Sequence, residues 1–256
     1  MCESSPSRAI SIEPPAANGE VRAMRFRFDG LVIALFVGGA LFLAGRGWLA
    51  EHPQHDPWAP LDLDHPPGWA TQRKLAALRS DPAECRAVLE RSNVEFAALP
   101  AVGEGACRRE DRTVLHEAPL APDPPAATCA VGAALVLWLR QGVQPAAQEL
   151  LGSPVARVEH FGAYSCRRLY GRDSGPWSEH ATGNAIDIAA FILADGRRIS
   201  VAGGWSGAAE QTAFLRRARD EACRVFGTVL SPDYNAAHAD HLHFDQESRG
   251  FGGVCR

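Results

Sequence analysis

No C-x-x-C spacing occurs among the seven cysteines, which removes the usual sequence signal of a Cys-based zinc site. No segment recurs with a period of roughly 20 to 50 residues, so solenoid and propeller architectures are excluded. Basic charge is not in excess: Lys and Arg number 26 against 30 Asp and Glu, a formal net charge of -4, and no nucleic-acid partner is expected. The 24 glycines and 18 prolines in 256 residues follow no fixed period, and 46% of the chain is hydrophobic, so neither a collagen-like nor a wholly disordered polymer fits. What remains is one medium folded unit with appendages.

The first appendage is apolar. Residues 30–50 carry a single charge, Arg46, near one end, and a run of this length can span a bilayer core. The long stem of Arg46 can carry its guanidinium to the headgroups, and Trp48 suits the same depth. Arg22, Arg25 and Arg27 precede the run whereas Glu51 and Asp56 follow it, so the positive-inside rule places the N-terminus in the cytoplasm and the rest of the chain outside. A signal anchor in the cytoplasmic (inner) membrane follows, single-pass, with the C-terminal domain in the periplasm. A cleaved signal peptide is the alternative, against which no clean A-x-A site follows the run. A buried core helix is the third reading. Residues 1–29 read as a disordered cytoplasmic leader, with Met24 a second candidate start, and 51–74 as a Pro-rich tether whose histidines are solvated.

Apart from Cys2, every cysteine lies beyond the apolar run: Cys85, Cys107, Cys129, Cys166, Cys223 and Cys255. Six cysteines in an exported segment point to three disulfides, and Cys85 with Cys107 is the pairing expected first among the alternatives. Asp81-Pro82 starts a helix over 82–91. Cys129 to Gln141 is apolar almost all round and forms a buried helix, after which Pro145 opens a second helix that Gly152 ends. Strands are predicted over 155–164 and 185–193, with Asp195-Gly196 as a type I′ hairpin into 198–201. A helix over about 208–226 and a short strand over 241–245 complete the pattern. Trp138 belongs to the core, and Asp233, Tyr234 and Asn235 read first as turn chemistry.

Four of the nine histidines fall in two short segments that also hold carboxylates: Ser178 to Asp187 and His238 to His243. A catalytic zinc takes three nitrogen or oxygen ligands and leaves a fourth position open. His180, Asp187 and His243 supply such a set, because antiparallel pairing of the strands carrying Asp187 and His243 brings those side chains within cross-strand distance.

Written as S-x-H-x-x-G-x-A-x-D followed by D-H-x-H, these segments resemble the D-alanyl-D-alanine carboxypeptidase and endopeptidase superfamily with its Hedgehog-type fold. GAYSCRRLYGR, SEHATGNAID, LADGRRISV and PDYNAAHADHLHFD give a closer likeness to the bacterial extensin-like protein C-terminal family, over about residues 75–256. The superfamily resemblance implies His180, Asp187 and His243 as zinc ligands. It implies Asp240 as the general base toward water and His241 as a group that stabilises an oxyanion. Arg167 is a weaker candidate for gripping a substrate carboxylate or carbonyl, against a purely structural role. In an unbroken strand residues 240 and 243 point to opposite faces, so Asp240 can serve only if the strand begins after it or bulges there; otherwise His238 or His241 is the better base.

The expected architecture is thus an α+β domain over 75–256, with a small antiparallel sheet bearing the metal and helices packed on it, behind a transmembrane helix. The expected function is zinc-dependent hydrolysis of peptide bonds in cell-wall peptidoglycan, with stem peptides as partners. A cell-wall-binding module that merely retains a metal site, or a disulfide-held interaction module, is the alternative.

Overall fold

The computed structural model describes residues 19–247 and 253–256. The expectation of disorder over residues 1–18 lies outside them. Two compact units divide the chain at Glu51.

The first unit is helix α1, Gly19–Glu51, which takes in the end of the expected leader. Its segment Asp29–Glu51 is long and apolar enough to be a membrane span or a signal sequence.

The second unit, from His52 onward, is mixed helix and sheet. Its opening stretch is more than a spacer, because Leu61 and Leu63 are buried in the core. In chain order there follow α2 (Thr71–Ala77), α3 (Pro82–Arg91), β1 (Phe96–Ala98), β2 (Thr113–Leu115), β3 (Leu120–Ala121) and α4 (Cys129–Trp138). After a π-helical turn, Leu139–Val143, come α5 (Gln144–Leu151), β4 (Val155–Gly162), β5 (Ala185–Leu193) and β6 (Arg198–Ser200). The chain ends with α6 (Val201–Gly204), α7 (Ala209–Ala222), β7 (Thr228–Leu230), β8 (Leu242–Asp245) and β9 (Val254–Cys255). The punctuation is local chemistry. Asp81 caps α3 by accepting from Glu84 N, and Gly152 ends α5 at φ +67°, a left-handed conformation that costs glycine little.

The sheet is larger than the small antiparallel one expected. Seven strands run β3-β4-β5-β8-β7-β9, with β6 beside β5, and both ends of that order, β3 on β4 and β9 on β7, pair in parallel. The Asp195-Gly196 hairpin forms as expected, but only Gly196 has positive φ (+88°), so the turn is not type I′, which needs two such residues.

Helices cover one sheet face. Trp138 from α4 lies edge-on to Phe244 of β8 and tilted against Phe191 of β5, and its indole N–H donates to the Ala218 carbonyl of α7. Phe214 of α7 packs edge-on against Phe191. This layer fixes which face of β5 and β8 is left for polar work.

Three disulfides join Cys85 to Cys129, Cys107 to Cys166 and Cys223 to Cys255. The expected Cys85–Cys107 pair is therefore wrong. Cys85 points from α3 into the helical layer and meets Cys129 at the start of α4, while Cys107 sits in a turn against the segment before the first motif. Nearness in sequence does not decide nearness in the fold.

Candidate metal centre

Strand β5 changes the parity of its buried positions midway. Ile186 and Ile188 are in the core, and so are Phe191 and Leu193. A regular strand puts residues an odd number apart on opposite faces, so one residue between must be extra. It is Ala189: Glu159 of β4 pairs with Ala190 and His160 with Ile188, leaving Ala189 unopposed. This bulge lets Asp187 face away from the core while Phe191, four residues on, faces into it. On β4 the next register shift leaves Phe161 extra in the same way, and its ring is exposed and edge-on to His241.

Asp187 pairs directly with His243 of β8, the cross-strand relation that the spacing predicts. His180 arrives from a 3-10 turn, Glu179–Thr182, and the serine and glycine of its motif each have a local task. Ser178 caps the turn by accepting from His180 N, and Gly183 leaves it at φ +75°. A buried network pins the turn from behind: Thr128 Oγ1 donates to Asn184 Oδ1, and Asn184 Nδ2 donates to the Glu179 carboxylate. Burial pushes the Glu179 carboxyl up, and the nearby Arg79 guanidinium, 3.1 Å away, opposes that rise.

The three expected ligands converge. His180 Nε2 lies 3.2 Å from Asp187 Oδ1 and 3.1 Å from His243 Nδ1, and His243 Nδ1 lies 2.9 Å from Asp187 Oδ1. Donors on one cation at bond lengths of about 2.1 Å in tetrahedral geometry stand about 3.4 Å apart. The observed triangle is within a few tenths of an ångström of that, so this donor set fits a small divalent ion. The other nitrogen of each ring is also held, as ligating imidazoles require. His180 Nδ1 faces the Ala163 carbonyl at 3.2 Å, and His243 Nε2 faces Asp245 Oδ2 at 3.0 Å.

The electrostatics agree. Burial alone would raise the Asp187 carboxyl, but hydrogen bonds from His180 and His243 hold it far below the usual carboxylate range. Burial would lower His243, and the carboxylates of Asp187 and Asp245 outweigh it and push the imidazole up to about 9. The cluster draws positive charge, which a proton supplies in the absence of a cation.

Around this triangle stand the other expected residues. Strand β8 begins at Leu242, after Asp240, which meets the condition for Asp240 to reach the site. Its Oδ1 lies 2.8 Å from His241 Nδ1, and His241 Nε2 is turned toward Asp187, 3.6 Å from Oδ1. Asp240 thus stands one imidazole away from the triangle. Arg167 is exposed, and its charge is felt at His238. His238 is buried, with its ring against those of His241 and His243 and Nδ1 2.8 Å from Asn235 Oδ1. Burial first, and the neighbouring imidazoles second, lower it to about 4.

Asp233 serves the framework, accepting from the Trp205 indole and the Arg216 guanidinium, while Asn235 caps the 236–238 turn. The loop between β4 and His180 is pinned by Cys107–Cys166 and by the Arg109 guanidinium 4.1 Å over the Tyr164 ring. The residue that sequence reasoning missed is Asp245. It lies two positions after His243 on one strand, hence on the same face, and that period of two is the signal that could have found it.

A family model described as Extensin-like protein C-terminus matches residues 83–256. No curated protein and no solved structure matches the chain.

Proposed function

This chain belongs to the extensin-like protein C-terminus family, and from that premise and the donor triangle we propose that its domain is a zinc-dependent peptide hydrolase acting on cell-wall peptidoglycan. The single observation that carries the reading is the convergence of His180, Asp187 and His243, the two imidazoles each backed by a second partner, on the sheet face that the helices leave free. Two imidazoles and one carboxylate suit zinc by ligand type, and bound zinc supplies Lewis acidity toward a carbonyl and toward water. Likeness of the two motifs to the D-alanyl-D-alanine peptidase superfamily supports the same reaction class.

The chain's own groups handle the proton and the substrate. Asp240 keeps one carboxylate oxygen on His241 and presents the other to solvent, where it serves as base toward an attacking water. His241, whose Nδ1–H is held by Asp240, donates from Nε2 in its imidazolium form to the oxygen on which negative charge develops. Arg167 on the exposed rim grips a substrate carboxylate or carbonyl. The location is the outer side of the cytoplasmic membrane. An apolar N-terminal helix and three disulfides support that placement, since disulfides persist in oxidising compartments.

The test uses protein purified without nickel resin. Elemental analysis is expected to find one zinc per chain, and incubation with muropeptides to release shortened stem peptides. His243→Ala should abolish both metal and cleavage. Metal-loaded, folded protein that cleaves no muropeptide, or cleavage that survives His243→Ala, overturns the reading.

A further inference from the structure

The edge of β5 that faces β8 changes partner halfway along. Residues 185–188 pair with β8, and 190–192 pair with β6. Between them, at the bulged Ala189, the chain leading into β8 and the chain leaving β6 part company. The gap opens a cleft of about 490 Å³, with Ala189 as its floor and Asp240, Phe161 and Ala202 among its walls. Because it shares Asp240 with the candidate metal centre, and because Phe161 packs on His241, the cleft is continuous with that centre.

Its far end carries a pair of opposite charges. Arg198 pairs in register with Ile192 and Glu159 with Ala190, five and three positions along β5 from Asp187, which is about 10 to 17 Å of strand. Both Nε and Nη2 of Arg198 donate to one oxygen of Glu159, Oε2, at 2.9 and 2.5 Å. Among the described residues Glu159 Oε1 and Arg198 Nη1 make no further hydrogen bond, and both side chains line the cleft. The fork is already paired on its inner side, and the Arg157 charge also reaches Glu159, so Nη1 is left for an anion and Oε1 for a cation. It is complementary to a group that carries both charges, a carboxylate for Nη1 and an ammonium for Oε1.

We propose that this cleft is a subsite for an extended peptide segment ending in a zwitterion, a residue with free α-amino and α-carboxyl groups, held by Glu159 and Arg198. At up to about 3.5 Å per residue, about three to five residues cover the distance to Asp187. The inference deepens the hydrolase reading by naming the substrate's distal chemistry, and its direction along the cleft rests on that reading.

The probe is lysine acylated on Nε with acetyl-tetra-alanine, which leaves its α-amino and α-carboxyl groups free. Binding is measured by titration calorimetry on the full-length protein in detergent, in parallel with muropeptide cleavage. Wild-type protein should bind this probe at least tenfold more tightly than its Nα-acetyl or carboxamide derivative. Arg198→Ala should erase that preference. The doubly swapped Glu159→Arg, Arg198→Glu protein keeps an ion pair and should recover wild-type thermal stability but not the wild-type affinity for the probe.

Equal affinity for free and capped probes, or recovery of affinity along with stability in the double swap, overturns the subsite. Selective binding without cleavage of any muropeptide sinks the hydrolase reading and leaves the subsite standing. Cleavage without selective binding does the reverse.

Discussion

The two groups of polar side chains on the free face of the sheet are built differently. His180 and Asp187 are buried and His243 is partly buried, and each is tied to backbone geometry: two face each other across a strand pair and the third sits in a capped turn. Asp240, His241 and Arg167 stand outside regular structure, with Asp240 and Arg167 exposed. The first group is suited to holding an ion in one geometry, and the second to meeting a substrate. Rigidity where charge is held and freedom where a chain must enter is the division of labour that the fold imposes.

The largest way to break that comparison is to remove the bulge. Deleting Ala189 forces a choice between keeping Phe191 and Leu193 in the core and keeping Asp187 out of it. Losing both apolar side chains from the core would cost about 5 to 10 kcal/mol, comparable to the whole stability of a domain. The deletion should leave no cooperative thermal transition, whereas Ala189→Ser, which keeps the residue count, should fold. A folded deletion protein would show that parity is not what places Asp187.

A smaller effect separates the buried group from the exposed one by pH. In the cation-free protein His243 sits at about 9 against about 6.5 when unfolded. The folded state therefore holds the proton more tightly. The stability this provides is complete below pH 6.5, declines from there to pH 9, and is gone above. Its size is about 3 kcal/mol. Denaturant unfolding across this range should show the decline, and His243→Gln should flatten it. A bound cation takes the proton's place, so cation affinity should rise over the same pH window. A flat stability profile in the cation-free wild type would show that no proton is held in the triangle.

The triangle was legible in the sequence because its residues lie in two short motifs, and the strand relation of Asp187 and His243 follows from antiparallel pairing. The helices at 82–91 and 129–151 were legible through Pro, Gly and apolar periodicity. The bulge was not, because AIDIAAFIL reads as one continuous apolar strand and a displaced alanine leaves no mark in it. The parallel edges of the sheet were hidden for another reason: β3 and β9 have two residues each, too few to show any period. Disulfide pairing depends on packing between distant elements, so six cysteines alone could not report it.

Asp245 gives the finest test of how the buried group is held. Its Oδ1 accepts from Glu247 N at 2.9 Å, which fixes that atom as an oxygen, and its Oδ2 faces His243 Nε2. In Asp245→Asn the backbone donor keeps the carbonyl oxygen in place and turns the amide nitrogen toward His243. An amide donates, so Nε2 becomes the acceptor and the ring proton moves to Nδ1, the atom that belongs to the triangle. The cation must then displace that proton and break the preferred tautomer. Zinc affinity, measured by competition with a chromophoric chelator, should fall about 10- to 100-fold while the circular dichroism spectrum stays that of the wild type. Unchanged affinity in this variant would mean that Asp245 steadies the strand end alone and leaves the choice of ring nitrogen to the cation.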